Sequence, residues 1–449
     1  MNKGEAQFKR MTEGSVEKLI ATLSIPTVIS MLVTSVYNMA DAYFVAQLGT
    51  SASGAVGVVF SLMAIIQAFG FALGMGSGSL ISRLMGEQKN DEASKIASSA
   101  LFFGLAIGVV LVFGCSFWIS ELMMFFGSTK TILPHAIDYG KYIIYGAPVM
   151  IGSFIMNNIL RSEGKPKYAM IGIGLGGILN IILDPIFIFA LKMGVSGAAV
   201  ATLLSQIISF VVLGVFFLLG KTETKLSVKR ISTKIKDYLM IFKIGLPSLS
   251  RQGLASISTT VLNRQARLFG DAAVAAMSIS GKIFMIIFAI LIGIGQGFQP
   301  VCGFNYGAKK YKRVRRAVMF LLIYGSIIMT VLAIPVFCFP DWFMSHFTID
   351  DQKVVEIGRV ALRAQCVVLP IISISTVANM TYQTVGKAWT ATVLSALRQG
   401  LFFIPAVLVM TKTMGVAGLE WAQAVADVLS SAFCLPFLLK FLKEIKKES

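Results

Sequence analysis

Long stretches of mostly apolar residues recur along the whole chain, separated by short polar or glycine-containing breaks. A bilayer core about 30 Å thick calls for roughly 20 apolar residues per helix. The pattern predicts twelve such helices, over residues 19–48, 55–84, 95–120, 132–160, 168–190, 196–220, 238–268, 274–304, 314–340, 354–383, 389–411 and 416–439. A closed β-barrel is the other way to span a membrane, and it would alternate in polarity over segments of about ten residues. That alternation is absent, so the expected fold is an all-α polytopic membrane protein with twelve transmembrane helices.

The polar breaks and glycines repeat at an offset near 221 residues. Pro26 matches Pro247, Gly49 matches Gly270, Gly74 and Gly76 match Gly295 and Gly297, and Gly86 matches Gly307. Farther on, Pro148 matches Pro370, Gly164 matches Gly386, and the run from Met193 matches the run from Met414. Repetition in constant order marks an internal duplication. Six spans per copy is an even number, so the copies share one orientation and form two pseudo-symmetric six-helix bundles about an axis along the membrane normal. The division falls between residues 1–225 and 226–449, with the basic segment 221–243 as the linker.

Composition agrees, with 56% hydrophobic and only 14% charged residues in 449. The formal net charge of +18 raises the question of nucleic acid, and the positions of the basic residues answer it. Of 40 Lys and Arg, 28 fall in segments on the side of the N-terminus and nine on the other side. Alternation by loop fits the positive-inside rule, whereas a nucleic-acid surface gathers its charge on one face. Nucleic acid is excluded as a partner, and both termini are expected in the cytoplasm of a cell-membrane protein embedded in the lipid bilayer. Residues 1–18 are polar and the first apolar run is a full span, so no cleavable signal is expected. Five cysteines in or beside apolar helices read as core residues, and two histidines in separate loops offer no zinc site. No phosphate loop is present: the run from Gly214 places five residues between its glycines where four are needed. An enzyme is therefore not expected, nor a cofactor, and transport would draw on an ion gradient.

Candidate chemistry lies in polar residues inside the spans. An ionised Asp at the centre of a membrane helix costs about 2.5–3.5 kcal/mol on insertion scales. Asp41 and Asp184 are both so placed. Asn180 stands four residues before Asp184, on the same helix face, and Pro185 leaves the Ile181 carbonyl without its helical donor. Tyr37 lies one turn before Asp41. Two carboxylates brought together in a low dielectric require a proton or cation between them. In the second copy the positions matching Asp41, Asn180, Asp184 and Thr202 are Leu262, Gly400, Ile404 and Gln423, so the carboxylates occur once. Arg251, Lys282 and Arg398 instead lie inside spans of the second half. Either they snorkel to the membrane surface or they line the central cleft, where Asp427 could neutralise one of them. Methionines such as Met31 suit a promiscuous cavity, and also ordinary packing.

With its twelve spans, two-fold repeat, NIILDP stretch from Asn180 and Asp in the first span, the chain resembles the multidrug and toxic compound extrusion (MATE) family over essentially its full length. The resemblance implies a secondary antiporter that expels drugs or organic cations in exchange for protons or sodium. It further implies a cation site at Asp41, Asn180, Asp184 and Thr202, with Tyr139 and Asn157 in the supporting network and Pro26 as the hinge of the first helix. Apart from sodium at that site no metal is expected, and the protein is expected to act as a monomer. The competing reading is a flippase for a lipid-linked precursor, a relative in the same superfamily, whose head-group phosphate the basic residues of the second half would bind. An ion channel is disfavoured because no filter-like loop is repeated.

Overall fold

In the computed structural model, which describes residues 3–346 and 352–448, helices account for nearly all of the chain. A short helix α1 (Lys3–Glu13) precedes α2 (Val16–Ala46), α3 (Thr50–Gly86), α4 (Asn90–Phe117), the short α5 (Ile119–Phe125), α6 (Leu133–Ser162), α7 (Pro166–Pro185) and α8 (Gly194–Leu218). The second half repeats the order with α9 (Ile235–Arg267), α10 (Asp271–Gly307), α11 (Tyr311–Cys338), the short α12 (Pro340–Ser345), α13 (Gln352–Thr384), α14 (Ala388–Ala396), α15 (Phe403–Met414) and α16 (Val416–Lys447). A π-helical segment, Ile186–Ala190, extends α7, and another, Leu397–Phe402, joins α14 to α15. All twelve predicted spans are present as helices. Eleven are long and apolar enough to cross a bilayer among the described residues. The twelfth, α9, has the length, but Arg251, Gln252, Asn263 and Arg264 dilute its apolar character.

Two bundles result, and the closest approaches between them gather at one face. A Cβ on Gly86 would overlap the Phe304 carbonyl, and one on Gly307 would overlap the Arg83 carbonyl. These positions are related by the repeat offset, so the contact is reciprocal, as a two-fold axis demands. Farther along, Gly76 of α3 abuts the backbone of Ile241, Gly245 of α9 that of Ala72, and Gly297 of α10 that of Ser24. Only glycine lets two helix backbones come this close. Cross-lobe hydrogen bonds reinforce the seam, among them those from Ser24 Oγ to the Ile294 carbonyl at 3.2 Å and from Arg83 Nη1 to the Val385 carbonyl at 3.1 Å. Toward the other ends of these helices, a Cβ at Gly57, Gly253 or Gly281 would meet nothing within 4 Å.

The closed seam lies at the face that carries both termini, called here the terminal face. Helix α1, which the polarity of residues 1–18 did not announce, straps across it. Its Gln7 Nε2 donates to the Glu163 carbonyl at 2.6 Å on the first lobe. From the second lobe, Asn305 Nδ2 donates to the Met11 carbonyl at 3.0 Å and Lys310 Nζ to the Thr12 carbonyl at 3.2 Å. The linker is pinned to the first lobe by a row of serines on α4, through Lys225 N to Ser94 Oγ, Ser227 N to Ser98 Oγ and Ser232 N to Ser99 Oγ at 3.1, 3.2 and 2.8 Å. Near the C-terminus, Lys387 Nζ pairs with Glu444 at 2.9 Å on the same face.

Candidate functional site

The NIILDP stretch ends α7 and runs into the π-helical turn. Pro185 withholds one helical donor, and the wider turn that follows absorbs the break, with Leu191 N donating to the Ile186 carbonyl at 2.8 Å. Gly177, one turn before Asn180, leaves room for the Tyr37 ring, which a Cβ there would meet at 2.9 Å. Helix α2 thus packs close to α7 and brings Asp41 toward the same polar region.

Asn180 Nδ2 donates to Asp184 Oδ1 at 3.1 Å and to Thr202 Oγ1 at 3.3 Å. Tyr139 OH donates to Asp41 Oδ2 at 3.4 Å and stands within electrostatic reach of Asp184. Asp184, Asn180, Thr202, Tyr139 and Tyr37 are buried. Asp41 Oδ1, Asn180 Oδ1 and Asp184 Oδ2 are buried and accept no hydrogen bond, and neighbouring Ser205 Oγ is likewise without a partner. Ser205, Thr34 and Gln206 line a cavity together with Tyr37, Asn180 and Thr202, and no basic residue borders it. Unsatisfied buried oxygens that outnumber the donors around them are what a hard cation or a shared proton requires. The site is thus assembled from α2, α6, α7 and α8, all of one lobe.

Asn157 is not part of this network. Its Nδ2 donates to the Ala169 carbonyl at 2.9 Å, and Asn379, at the matching position of the second copy, donates to the Ala391 carbonyl at 2.8 Å. The two copies make equal bonds at this position, as helix packing requires. Pro26 is buried within α2, which runs through it as one helix beside the crossing with α10. Met31 is half-buried on the same helix.

The second lobe answers with opposite charge. Arg398, in the π-helical turn, pairs through Nε with Asp427 Oδ1 at 2.7 Å, and Gln423 Nε2 donates to the same oxygen at 3.0 Å. The guanidinium lies over the rings of Phe288 at 4.2 Å and Phe284 at 5.4 Å. It is buried, so snorkelling does not explain it, and Asp427 supplies its counter-charge. Its Nη2 and Asp427 Oδ2 have no partner. Arg251 is half-buried within electrostatic reach of Arg398, and Lys282 is exposed on α10. Sequence reasoning did not single out Ser205 or the two phenylalanines, whose types are unremarkable inside a membrane helix.

Two pseudo-symmetric helical lobes that meet at one membrane face, with deep polar clusters between their helices, define a membrane transporter. The MatE family model matches residues 26–186 and 247–408, one copy per lobe, and the chain belongs to the MATE family. It is similar to the multidrug export protein MepA of Staphylococcus aureus strain MSSA476, at 27% identity over 439 residues that cover 97% of each chain. MepA of Staphylococcus saprophyticus is 26% identical with the same coverage. Among solved structures, one described as the outward-facing conformation of a multidrug resistance MATE family transporter superposes with a TM-score of 0.93 at 26% identity, over 100% of this chain and 99% of that one. A MOP superfamily transporter from Pyrococcus furiosus, described as having a binding pocket of reverse polarity, gives 0.92 at 26% identity over 99% of each chain.

Proposed function

We propose that the protein is a multidrug efflux antiporter of the cell membrane, expelling bulky organic compounds in exchange for protons or sodium bound at Asp41 and Asp184. Asn180 and Thr202 complete the cation site, Tyr37 and Tyr139 support it, and Pro26 is the hinge of α2. The observation that carries this reading is the set of unsatisfied buried oxygens on Asp41, Asn180 and Asp184. One charge moving down about 100 mV releases roughly 2.3 kcal/mol, enough to drive substantial accumulation. The terminal face, rich in Lys and Arg, is cytoplasmic by the positive-inside rule. Closure there corresponds to an outward-facing state, in keeping with the likeness to the outward-facing relative. Met31, Arg251, Lys282 and Arg398 are assigned to the substrate cleft between the lobes.

The test is efflux of a fluorescent organic cation from proteoliposomes, with a proton gradient alone and a sodium gradient alone. Efflux under one gradient, lost in Asp184→Asn, supports antiport and names the ion. Wild-type rates in both Asp184→Asn and Asp41→Asn would sink it. A second reading, the lipid-linked precursor flippase, is favoured only by the basic cluster of the second lobe. Head-group translocation without gradient-driven drug efflux would move the assignment there.

A further inference from the structure

At the terminal face, where the two lobes meet, one buried cation lacks a counter-ion. Arg161, in the last turn of α6, is 5% exposed. Its Nη1 donates across the seam to Gln296 Oε1 on α10, while Nε and Nη2 reach no acceptor. Gln299 Nε2, on the same face of α10, is also buried and unbonded. Both residues border a cavity walled by α3, α6 and α10 that includes Ser79 and Ser82 and has no Asp or Glu in its lining. A guanidinium carries five N–H donors and no acceptor, and a buried ion without a partner is strongly destabilising. Water could take the hydrogen bonds but not the charge.

The internal repeat shows that such a cavity is not a by-product of the fold. The position matching Arg161 is Gln383, whose Nε2 is satisfied within its own lobe by the Ile244 carbonyl at 3.1 Å and Ser248 Oγ at 2.9 Å. The positions matching Gln296 and Gln299 are Met75 and Gly78. The excess of donors therefore exists once, on one side of the pseudo-two-fold axis.

We propose that this cavity binds a small inorganic monoanion, such as chloride, held by Arg161 Nε and Nη2 from the first lobe and Gln299 Nε2 from the second. Its donors come from both lobes, so the site is complete only while the terminal face is closed. The anion then favours that closed state by its differential affinity. The inference does not depend on what the protein transports.

The test uses the purified full-length protein, unfolded thermally in sodium chloride and in sodium gluconate at constant ionic strength. Wild type is expected to show a saturable rise of the midpoint with chloride. Gln299→Ala, which removes one donor, should raise the half-saturating concentration about tenfold, and Arg161→Met should abolish the response. Crystals soaked in bromide should show anomalous density between Arg161 and Gln299. Equal wild-type midpoints in both salts, or a full chloride response in Arg161→Met, would overturn the proposal, as would a response to inorganic phosphate and not to chloride. Should Arg161→Met fail to fold, an unchanged chloride affinity in Gln299→Ala overturns it alone.

Discussion

The two lobes share a scaffold and differ in the polar cluster that each buries between its helices. In the first, two carboxylates and an amide leave buried oxygens without hydrogen-bond partners, and the cavity beside Asn180 has no basic residue in its lining. In the second, the equivalent region holds Arg398 with Arg251 close by and a single carboxylate, Asp427, between Gln423 and Arg398. What the lobes have in common is structural, namely the reciprocal glycine contacts of Gly86 and Gly307 and the paired amides of Asn157 and Asn379. Where the copies diverge, packing no longer explains the residue. The comparison separates chemistry from architecture within one chain.

The sharpest way to break it is to neutralise one side. Asp184→Asn preserves the shape and the contact with Asn180 but cannot titrate, and gradient-driven efflux should fall by at least about a hundredfold. Initial rates in proteoliposomes decide the matter, and a residual rate within a few-fold of wild type would remove Asp184 from the coupling site. On the opposite side, Asp427→Ala strands the buried Arg398 guanidinium. Loss of one partner of a buried pair costs about 3–5 kcal/mol, so the thermal midpoint should drop steeply. The double variant Arg398→Met with Asp427→Leu should recover most of that loss. If the double variant is no more stable than Asp427→Ala, the pair is not an isolated counter-ion arrangement.

A smaller effect tests the shared architecture. Asn157→Ala and Asn379→Ala each remove one hydrogen bond to a helical carbonyl, at a cost of about 0.5–1.5 kcal/mol. The two should resemble each other in stability and leave ion coupling intact. A change in ion dependence confined to Asn157→Ala would place that residue in the cation network, as the family resemblance implies.

Much of this was legible in the sequence because burial in lipid leaves little freedom. Eleven spans announce themselves by length and apolarity, α9 by length and by its place in the repeat, and most helix ends fell within a few residues of those predicted, with α16 running on to Lys447. The carboxylates at Asp41 and Asp184 stood out for the same reason, since a membrane interior seldom holds an unpaired charge. Helix α1 was missed because it is too short and polar for a span, and its role rests on backbone carbonyls gripped by Asn305 and Lys310, distant in sequence. Arg161 was hidden by its neighbours: among the basic residues of a loop, it gives no sign that α10 will cover it. The two glutamines of the run from Gly293, polar residues in an apolar span, were the available signal.

The linker offers the mildest test of lobe against lobe. Glu163, just beyond α6, accepts from the Glu223 amide at 2.8 Å, the Thr224 amide at 3.0 Å and the Thr224 hydroxyl. Its match in the second copy is Val385, which has no linker to hold. Burial pushes the Glu163 carboxyl above its ordinary 4.5, outweighing the opposing pull of those donors and of Lys165. A raised value means that the folded chain binds this proton more tightly than the unfolded chain does. The stability it contributes is therefore complete below the unfolded value and is lost as pH rises through the folded one. From about pH 4.5 upward, the thermal midpoint of wild type should decline more steeply than that of Glu163→Gln, which has no proton to lose. Parallel profiles would mean that the strap of linker on the first lobe holds equally well whatever the charge on Glu163, and that the donors, not burial, set its behaviour.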